Sequence, residues 1–197
     1  RKSDCHIVFT PEAEAFYNGV KINKYDFGVL GSVMEAQYRP GHFEGVAAVV
    51  KELFSVVKPD NSYFGEKDFQ QLAIINWLVK SENIPVNVVA CETVRAKSGL
   101  ALSSRNLRLS DEGRLAATEV FNTLNFCRNN VLIFDPQTLL ELSISKLSQK
   151  FEVEYFEIVD EITFERIEKW EESKHPRAFV VVHIEGVRLI DNLSLNP

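Results

Sequence analysis

Excess positive charge is missing from this sequence: 22 lysines and arginines stand against 28 aspartates and glutamates, for a formal net charge of -6 and a pI of about 5.3. A broad nucleic-acid or membrane-surface interface needs clustered Lys and Arg, so any anionic ligand must instead meet local positive charge. No apolar run approaches the ~20 residues of a membrane span, and nothing at the N-terminus resembles a signal peptide. The expectation is a soluble, cytoplasmic protein with neither nucleic acid nor membrane as partner. The three cysteines, Cys5, Cys91 and Cys127, are far apart and lack CxxC or Cys/His spacing, so they read as reduced thiols and no protein metal site is expected. Repeats and low-complexity tracts are also absent. What is present is 45% hydrophobic residues in a chain of 197, enough for one large domain or two small ones. The chain begins at Arg1 and goes almost at once into Ile7-Val8-Phe9, which reads as a core strand, and the expectation is that a natural N-terminal segment precedes it.

Taken in order, Cys5 to Phe9 reads as that strand, stopped at Thr10-Pro11, with Pro11 opening a short helix. Asn18 to Tyr38 reads mostly as loop, with room for a strand near Phe27 to Leu30. Arg39-Pro40-Gly41-His42 opens an amphipathic helix whose Phe43, Val46, Ala47, Val50, Leu53, Phe54 and Val57 recur at spacings of three and four, and Pro59 ends it. The stretch Tyr63-Phe64-Gly65-Glu66-Lys67-Asp68-Phe69-Gln70-Gln71 reads as strand end, tight turn and first helical turn. With the β-branched run Val86 to Ala90 it forms a βαβ unit, which implies a parallel sheet. A polar, hydroxyl-rich segment follows Cys91, and a domain boundary is placed near Val94. Beyond it, Ser110 caps a helix carrying Leu115, Ala116, Val120, Phe121 and Leu124. Asp135-Pro136 opens another with Leu139, Leu140, Leu142, Ile144 and Leu147 on its core side. Strands at Glu154 to Val159, Phe179 to Ile184 and Val187 to Ile190 complete a small α+β domain, the last two joined by a Glu185-Gly186 hairpin.

Two stretches carry chemistry. At the Gly65 turn, the free N–H groups and dipole of a helix start favour an anion, Lys67 adds a mobile cation, and Gly65 admits close approach of a ligand. Taken alone, the pattern favours an ordinary turn with a solvated charge cluster. Ser103-Ser104-Arg105-Asn106 supplies two hydroxyls, a guanidinium and an amide beside Lys97 and Gly99, a set suited to a polyphosphate, although a mobile linker would look much the same. Together, one on a sheet rim and one at a domain hinge, they suggest a nucleotide held between two domains. Elsewhere, His6 and His183 read as satisfied core or edge residues, and Glu152, Glu154, Glu157, Asp160 and Glu161 as a solvated strand face. Glu165 to Lys174 reads as an exposed segment, and Trp77 and Trp170 as packing residues.

The strings Arg39-Pro-Gly-His-Phe-Glu-Gly45, Tyr63-Phe-Gly-Glu-Lys-Asp-Phe-Gln-Gln71, Thr93-Val-Arg95, Gly99-Leu-Ala-Leu-Ser-Ser-Arg-Asn106 and Arg188-Leu-Ile-Asp-Asn-Leu193, in this order and spacing, resemble the pantothenate synthetase (pantoate–β-alanine ligase) family over essentially the whole chain. The resemblance implies an α/β fold: the C-terminal part of a Rossmann-like nucleotidyltransferase domain with a parallel sheet, residues 1–93, followed by a small α+β lid domain, residues 94–197. It also implies ATP as substrate with Mg2+, pantoate and β-alanine as the other substrates, a pantoyl adenylate intermediate, and a homodimer. Position by position, it places Gly65 and Asp68 on the ATP ribose, Lys67 on the phosphates, and Ser103, Ser104 and Arg105 over the triphosphate. Gln71 falls on pantoate, backbone groups of Val94 and Leu102 on the adenine, and Arg39 and His42 near substrate or pyrophosphate. The family's upstream segment with two ATP-binding histidines and its pantoate-binding glutamine have no counterpart here, which implies that this chain alone lacks half of the ATP site and part of the pantoate site. Glu92, Ala96 and Ser98 depart from the family's usual proline, acidic residue and aspartate at the hinge. Two alternatives stand beside the ligase: an inactive folded or dimer-forming fragment of that family, and another adenylate-forming nucleotidyltransferase such as a class I aminoacyl-tRNA synthetase remnant. The acidic charge counts against the latter.

Overall fold

The computed structural model describes residues 5–18, 20 and 22–196. A short helix, α1 (Ala13–Tyr17), starts two residues after Pro11 rather than at it, with Glu12 in the capping position. A second single turn, α2 (Glu35–Tyr38), leads into α3 (His42–Val57), which follows Gly41 in the left-handed conformation and buries Phe43, Ala47, Val50 and Phe54. Next come β1 (Asn61–Gly65), a 3-10 turn at Glu66–Asp68, α4 (Phe69–Ser81) and β2 (Asn87–Cys91). β1 and β2 pair in parallel from Asn61↔Asn87 to Gly65↔Cys91, the expected βαβ unit. Helix α4 packs Ile74, Ile75 and Leu78 against the buried face of α3, and Trp77 stacks edge-on with Tyr25 and Phe27.

Two expectations fail in this part. Cys5 to Phe9 is not a strand; Ile7, Val8 and Phe9 are 83%, 68% and 49% exposed. A strand needs a neighbour for its backbone groups, and among the described residues β1 and β2 each pair only with the other. Phe27 to Leu30 is likewise no strand. Gly28 sits at φ +60 and donates to Asp26 Oδ1, which closes a 3-10 turn at Gly28–Gly31.

The remainder comprises α5 (Asp111–Asn129), α6 (Pro136–Ser148) and an antiparallel sheet of β3 (Glu152–Asp160), β4 (Pro176–Ile184) and β5 (Val187–Ser194) in the order β3-β4-β5. Ser110 and Asp135 cap their helices as expected, each accepting a backbone N–H three residues on. Both residues of the Glu185-Gly186 hairpin have positive φ, the two-residue turn that matches strand twist. The buried stripes run through Ala117, Val120, Leu124 and Cys127 on α5 and Leu139, Leu140, Ser143 and Leu147 on α6. Leu115 and Leu142, expected in the core, fall off those stripes; Leu115 is 73% exposed. Trp170 packs on this core and donates its indole N–H to the Phe134 carbonyl. Among the described residues no helix is long and apolar enough to cross a membrane.

A third apolar cluster spans both halves of the chain. Met34, Leu30, Val33, Phe69 and Ala73 meet Tyr155, Val159, Phe164, Phe179, Val181 and Ile190. Phe69 packs edge-on to Phe179, and the Arg177 guanidinium lies 3.9 Å over the Phe69 ring. This shared cluster seats β5 against the end of β1 where the 3-10 turn begins.

Candidate functional site

The turn after β1 is built by strand geometry and secured from the second sheet. Gly65 has ordinary extended angles, φ -74 and ψ 133, and a Cβ placed on it would meet nothing within 4 Å. Open space lies beside this backbone, so the glycine is not needed for the protein's own packing. Lys67 is largely buried along its stem, and its Nζ stands 4.0 Å from Asp68 Oδ2, too far for a hydrogen bond. The buried Asn192 amide donates to the carbonyls of both Glu66 and Lys67, each at 2.9 Å.

The segment 94–106 forms a tight hairpin followed by a 3-10 turn. Arg95 bridges Ala101, while Ala96 and Leu102 donate to the carbonyls of Leu100 and Val94. Arg95 then forks onto Asp191 at 2.6 and 2.9 Å and lies 4.1 Å over the Phe121 ring. Gly99 closes the hairpin at φ +88, and a Cβ there would lie 2.2 Å from Phe121 Cδ1. Gly99→Ala is therefore expected to disorder this hairpin, combining left-handed strain of about 1–3 kcal/mol with an overlap against a packed ring. Faster amide exchange confined to residues 94–106 would show it; a crystal structure of the variant with the hairpin unmoved would refute it.

Within the next loop the side chains divide by task. Ser103 Oγ accepts the Arg105 N–H and caps the 3-10 turn at Ser104–Arg108. Asn106, expected as a ligand amide, is buried and spends its donor on the Ala101 carbonyl; it holds the loop shut and is unavailable to a phosphate. Arg105 donates to the Arg188 carbonyl at 3.1 Å. It forms no ion pair with any carboxylate among the described residues, so its charge is open to an incoming anion.

These elements converge on two small cavities that share Lys67, Ile190 and Asp191. The first, about 20 Å³, is also lined by Ser103, Arg105 and Arg188. The second, about 30 Å³, adds Glu35, Arg39, His42, Asp68 and Gln71. Each has room for about one water, so they mark the floor of a surface site, not a chamber. Lys67, Asp68, Gln71, Arg39, His42, Ser103 and Arg105 thus come together. Gly65, Val94, Leu102 and Ser104 line neither cavity and are exposed at the surface. Val94 and Leu102 are nonetheless neighbours across the hairpin, and among the described residues the Val94 N–H and Leu102 carbonyl take no backbone partner.

The two glutamines beside Asp68 differ sharply. Gln70 is buried; its oxygen accepts the Glu35 N–H, and its amide donates to the carbonyls of Leu30 and Val33. It thereby supports Met34, which is held at φ +45. Gln71 makes no such bond and faces the second cavity.

An ionic network missing from the sequence reading links the two cavities, with Arg188 on the first and Glu35, Arg39 and Tyr155 on the second. Arg188 grips Glu35 with two bonds of 2.8 and 2.6 Å and reaches Glu154 at 2.6 Å. Tyr155 and Arg39 add bonds to Glu35, and His183 one to Glu154. Glu154, Glu157 and Glu161, expected on a solvated face, instead pair with Arg188 and His183, Arg166, and Arg177 respectively. Among the described residues no group of three His, Cys, Asp or Glu is placed to hold a metal ion. Burial alone would push the Glu35 carboxyl up, but Arg188, Tyr155 and Arg39 bring it below its ordinary value. Arg188 chiefly does the same for Glu154, while burial raises the Tyr155 phenol. Burial, with Arg39 adding, lowers His42 and favours its neutral imidazole. Carboxylates held below their unfolded value, near 4.3 for Glu, contribute stability that is present above that value and lost as pH falls through the folded values. Thermal unfolding should therefore move to lower temperature below about pH 4.3, with a smaller acid-side drop in Arg188→Met; equal drops would contradict the assignment.

Comparison with known proteins identifies relatives of the chain. The family model described as Pantoate-beta-alanine ligase matches residues 1–194. The pantothenate synthetase of Azobacteroides pseudotrichonymphae is 43% identical over 196 residues, covering 98% of this chain and 70% of that protein. The crystal structure of pantothenate synthetase from Thermus thermophilus superposes with a TM-score of 0.92 at 36% identity, over all of this chain and 72% of the other. That of the Francisella tularensis pantoate-beta-alanine ligase, complexed with beta-gamma ATP and beta-alanine, has a TM-score of 0.67 at 28% identity, covering 92% and 62% of the two chains.

Proposed function

The chain belongs to the pantoate-beta-alanine ligase family, and on that premise we propose that its site joins pantoate to β-alanine through a pantoyl adenylate formed from ATP. In the first step a pantoate carboxylate oxygen bonds to the α-phosphorus and pyrophosphate leaves. In the second, the β-alanine amine attacks the acyl carbon, the C–O bond to the phosphate breaks, AMP departs and the amine sheds a proton. The observation that carries the reading is that Lys67 and Arg105, from different elements, line one small cavity with Ser103 and, among the described residues, have no close carboxylate bond. Cations and hydroxyls fixed in advance stabilise charge that grows on the phosphate oxygens, and positioning supplies much of the remainder.

Ser104, exposed beside this group, joins Ser103 on the triphosphate, and Asp68 with the open backbone at Gly65 receives the ribose. The Val94 N–H and Leu102 carbonyl, without a backbone partner among the described residues, offer one donor and one acceptor to the adenine edge. Gln71 faces the second cavity and receives pantoate, with Arg39 and the neutral His42 near it or near pyrophosphate. The ATP and β-alanine named for the Francisella relative support these substrates. Mg2+ enters with the ATP phosphates, as is usual for that ion, and no protein cage is assigned to it. Residues 94–197 act as the lid over the phosphate turn of residues 1–93. Pantoate-dependent ATP–pyrophosphate exchange tests the reading: exchange is expected, and its absence overturns it.

A further inference from the structure

We infer that Asn192 is a positioning residue for the phosphate turn, aiming the N–H and the side chain of Lys67 from the opposite sheet. Every polar atom of this buried residue is occupied. Its Nδ2 donates to the carbonyls of Glu66 and Lys67 at 2.9 Å each, and its Oδ1 accepts from Arg177 at 2.7 Å. Its own N–H donates to Asp191 Oδ1 and its carbonyl accepts from Arg95. A guanidinium on one side and two carbonyls on the other leave a single orientation for the amide.

The consequence for the turn follows from peptide planarity. In a trans peptide the carbonyl and the next N–H point in opposite directions. Pulling the Glu66 and Lys67 carbonyls toward Asn192 therefore sends the N–H groups of Lys67 and Asp68 away from the second sheet. The Lys67 N–H has no helical acceptor, while the Asp68 N–H is taken up by the 3-10 turn at Glu66–Asp68. One side chain thus fixes both peptide planes that flank the Lys67 Cα, and with them the direction in which its ammonium leaves the backbone. Residues 188, 190 and 192 share one face of β5, where Ile190 packs in the cluster with Phe69 and Ala73. Register along β5 therefore sets the turn, and Asn192 delivers it.

The catalytic part of this inference rests on the adenylate-forming reading above. Asn192→Asp in the complete protein keeps size and the Arg177 contact but replaces the donor with a charged acceptor facing two carbonyls. Asn192→Ala serves alongside in case the aspartate variant folds poorly. Amide exchange in residues 65–69 should quicken while strands β3 to β5 keep their protection; unchanged exchange in the turn would overturn the inference whatever the activity. In pantoate-dependent pyrophosphate exchange, kcat should fall roughly 10- to 100-fold, with a smaller further loss when the same change is made in Lys67→Ala, where only the backbone N–H is left to be aimed. Equal fold-losses in both backgrounds would mean that Asn192 acts through general stability and would also overturn it. If the unsubstituted protein shows no pyrophosphate exchange, the adenylate reading falls, and amide exchange alone decides whether Asn192 positions the turn.

Discussion

Arg188→Met is expected to destabilise the fold by about 3–5 kcal/mol, the usual cost of removing one member of a buried, hydrogen-bonded ion cluster. The guanidinium is shared by Glu35 and Glu154, and all three side chains are under one-fifth exposed. Without it, two carboxylates remain in poorly hydrated surroundings; Glu35 keeps only Tyr155 and the longer Arg39 contact at 3.3 Å. Methionine fills similar volume, so the loss reports charge and not a cavity. Arg188→Lys should recover only part of it, since an ammonium cannot reproduce the two parallel bonds to Glu35. Urea denaturation would read the effect as a fall in midpoint at unchanged slope. A loss below about 1 kcal/mol would mean that the cluster behaves as a surface ion pair and that Arg39 can replace Arg188.

Lys67→Ala should have the opposite profile, with activity lost and stability kept. On the proposed reading, in which this charge acts on the phosphates in the transition state, its removal should lower kcat for adenylate formation by about 100-fold or more, roughly 2.7 kcal/mol. Among the described residues the side chain forms no hydrogen bond and one ionic contact, at 4.0 Å with Asp68, so the thermal midpoint should barely move. A large fall in midpoint with activity retained would assign Lys67 to structure instead. Arg105→Ala should slow the same step, with a small stability cost from its bond to the Arg188 carbonyl.

Local patterns made much of this legible in the sequence. Capping residues, apolar spacing and the two-residue hairpin placed α3 to α6 and the five strands to within a few residues, because each of those signals acts over a turn or two of chain. The turn at Gly65 to Asp68 and the loop at Ser103 to Arg105 were legible for the same reason. Failures cluster where the deciding partner is distant. Cys5 to Phe9 has strand composition but no neighbouring strand, and Glu154 has the alternation of a solvated face but meets Arg188. The Arg188–Glu35 contact spans 153 residues and the Asn192–Lys67 contact 125, beyond any periodicity. Gln70 carried no separating sign: it lies four residues before the buried Ile74, but Gln71 lies four before the equally buried Ile75, so helical spacing favours neither. Asn106 carried none either, since only the fold of the hairpin brings the Ala101 carbonyl to it.

The most direct measurement is the fate of oxygen-18 in pantoate labelled at its carboxylate. If the carboxylate attacks the α-phosphorus and the amine then breaks the C–O bond, one labelled oxygen must end in the phosphate of AMP and none in pyrophosphate. Label in inorganic phosphate, or AMP released without label, would contradict the adenylate and with it the roles given to Lys67 and Arg105.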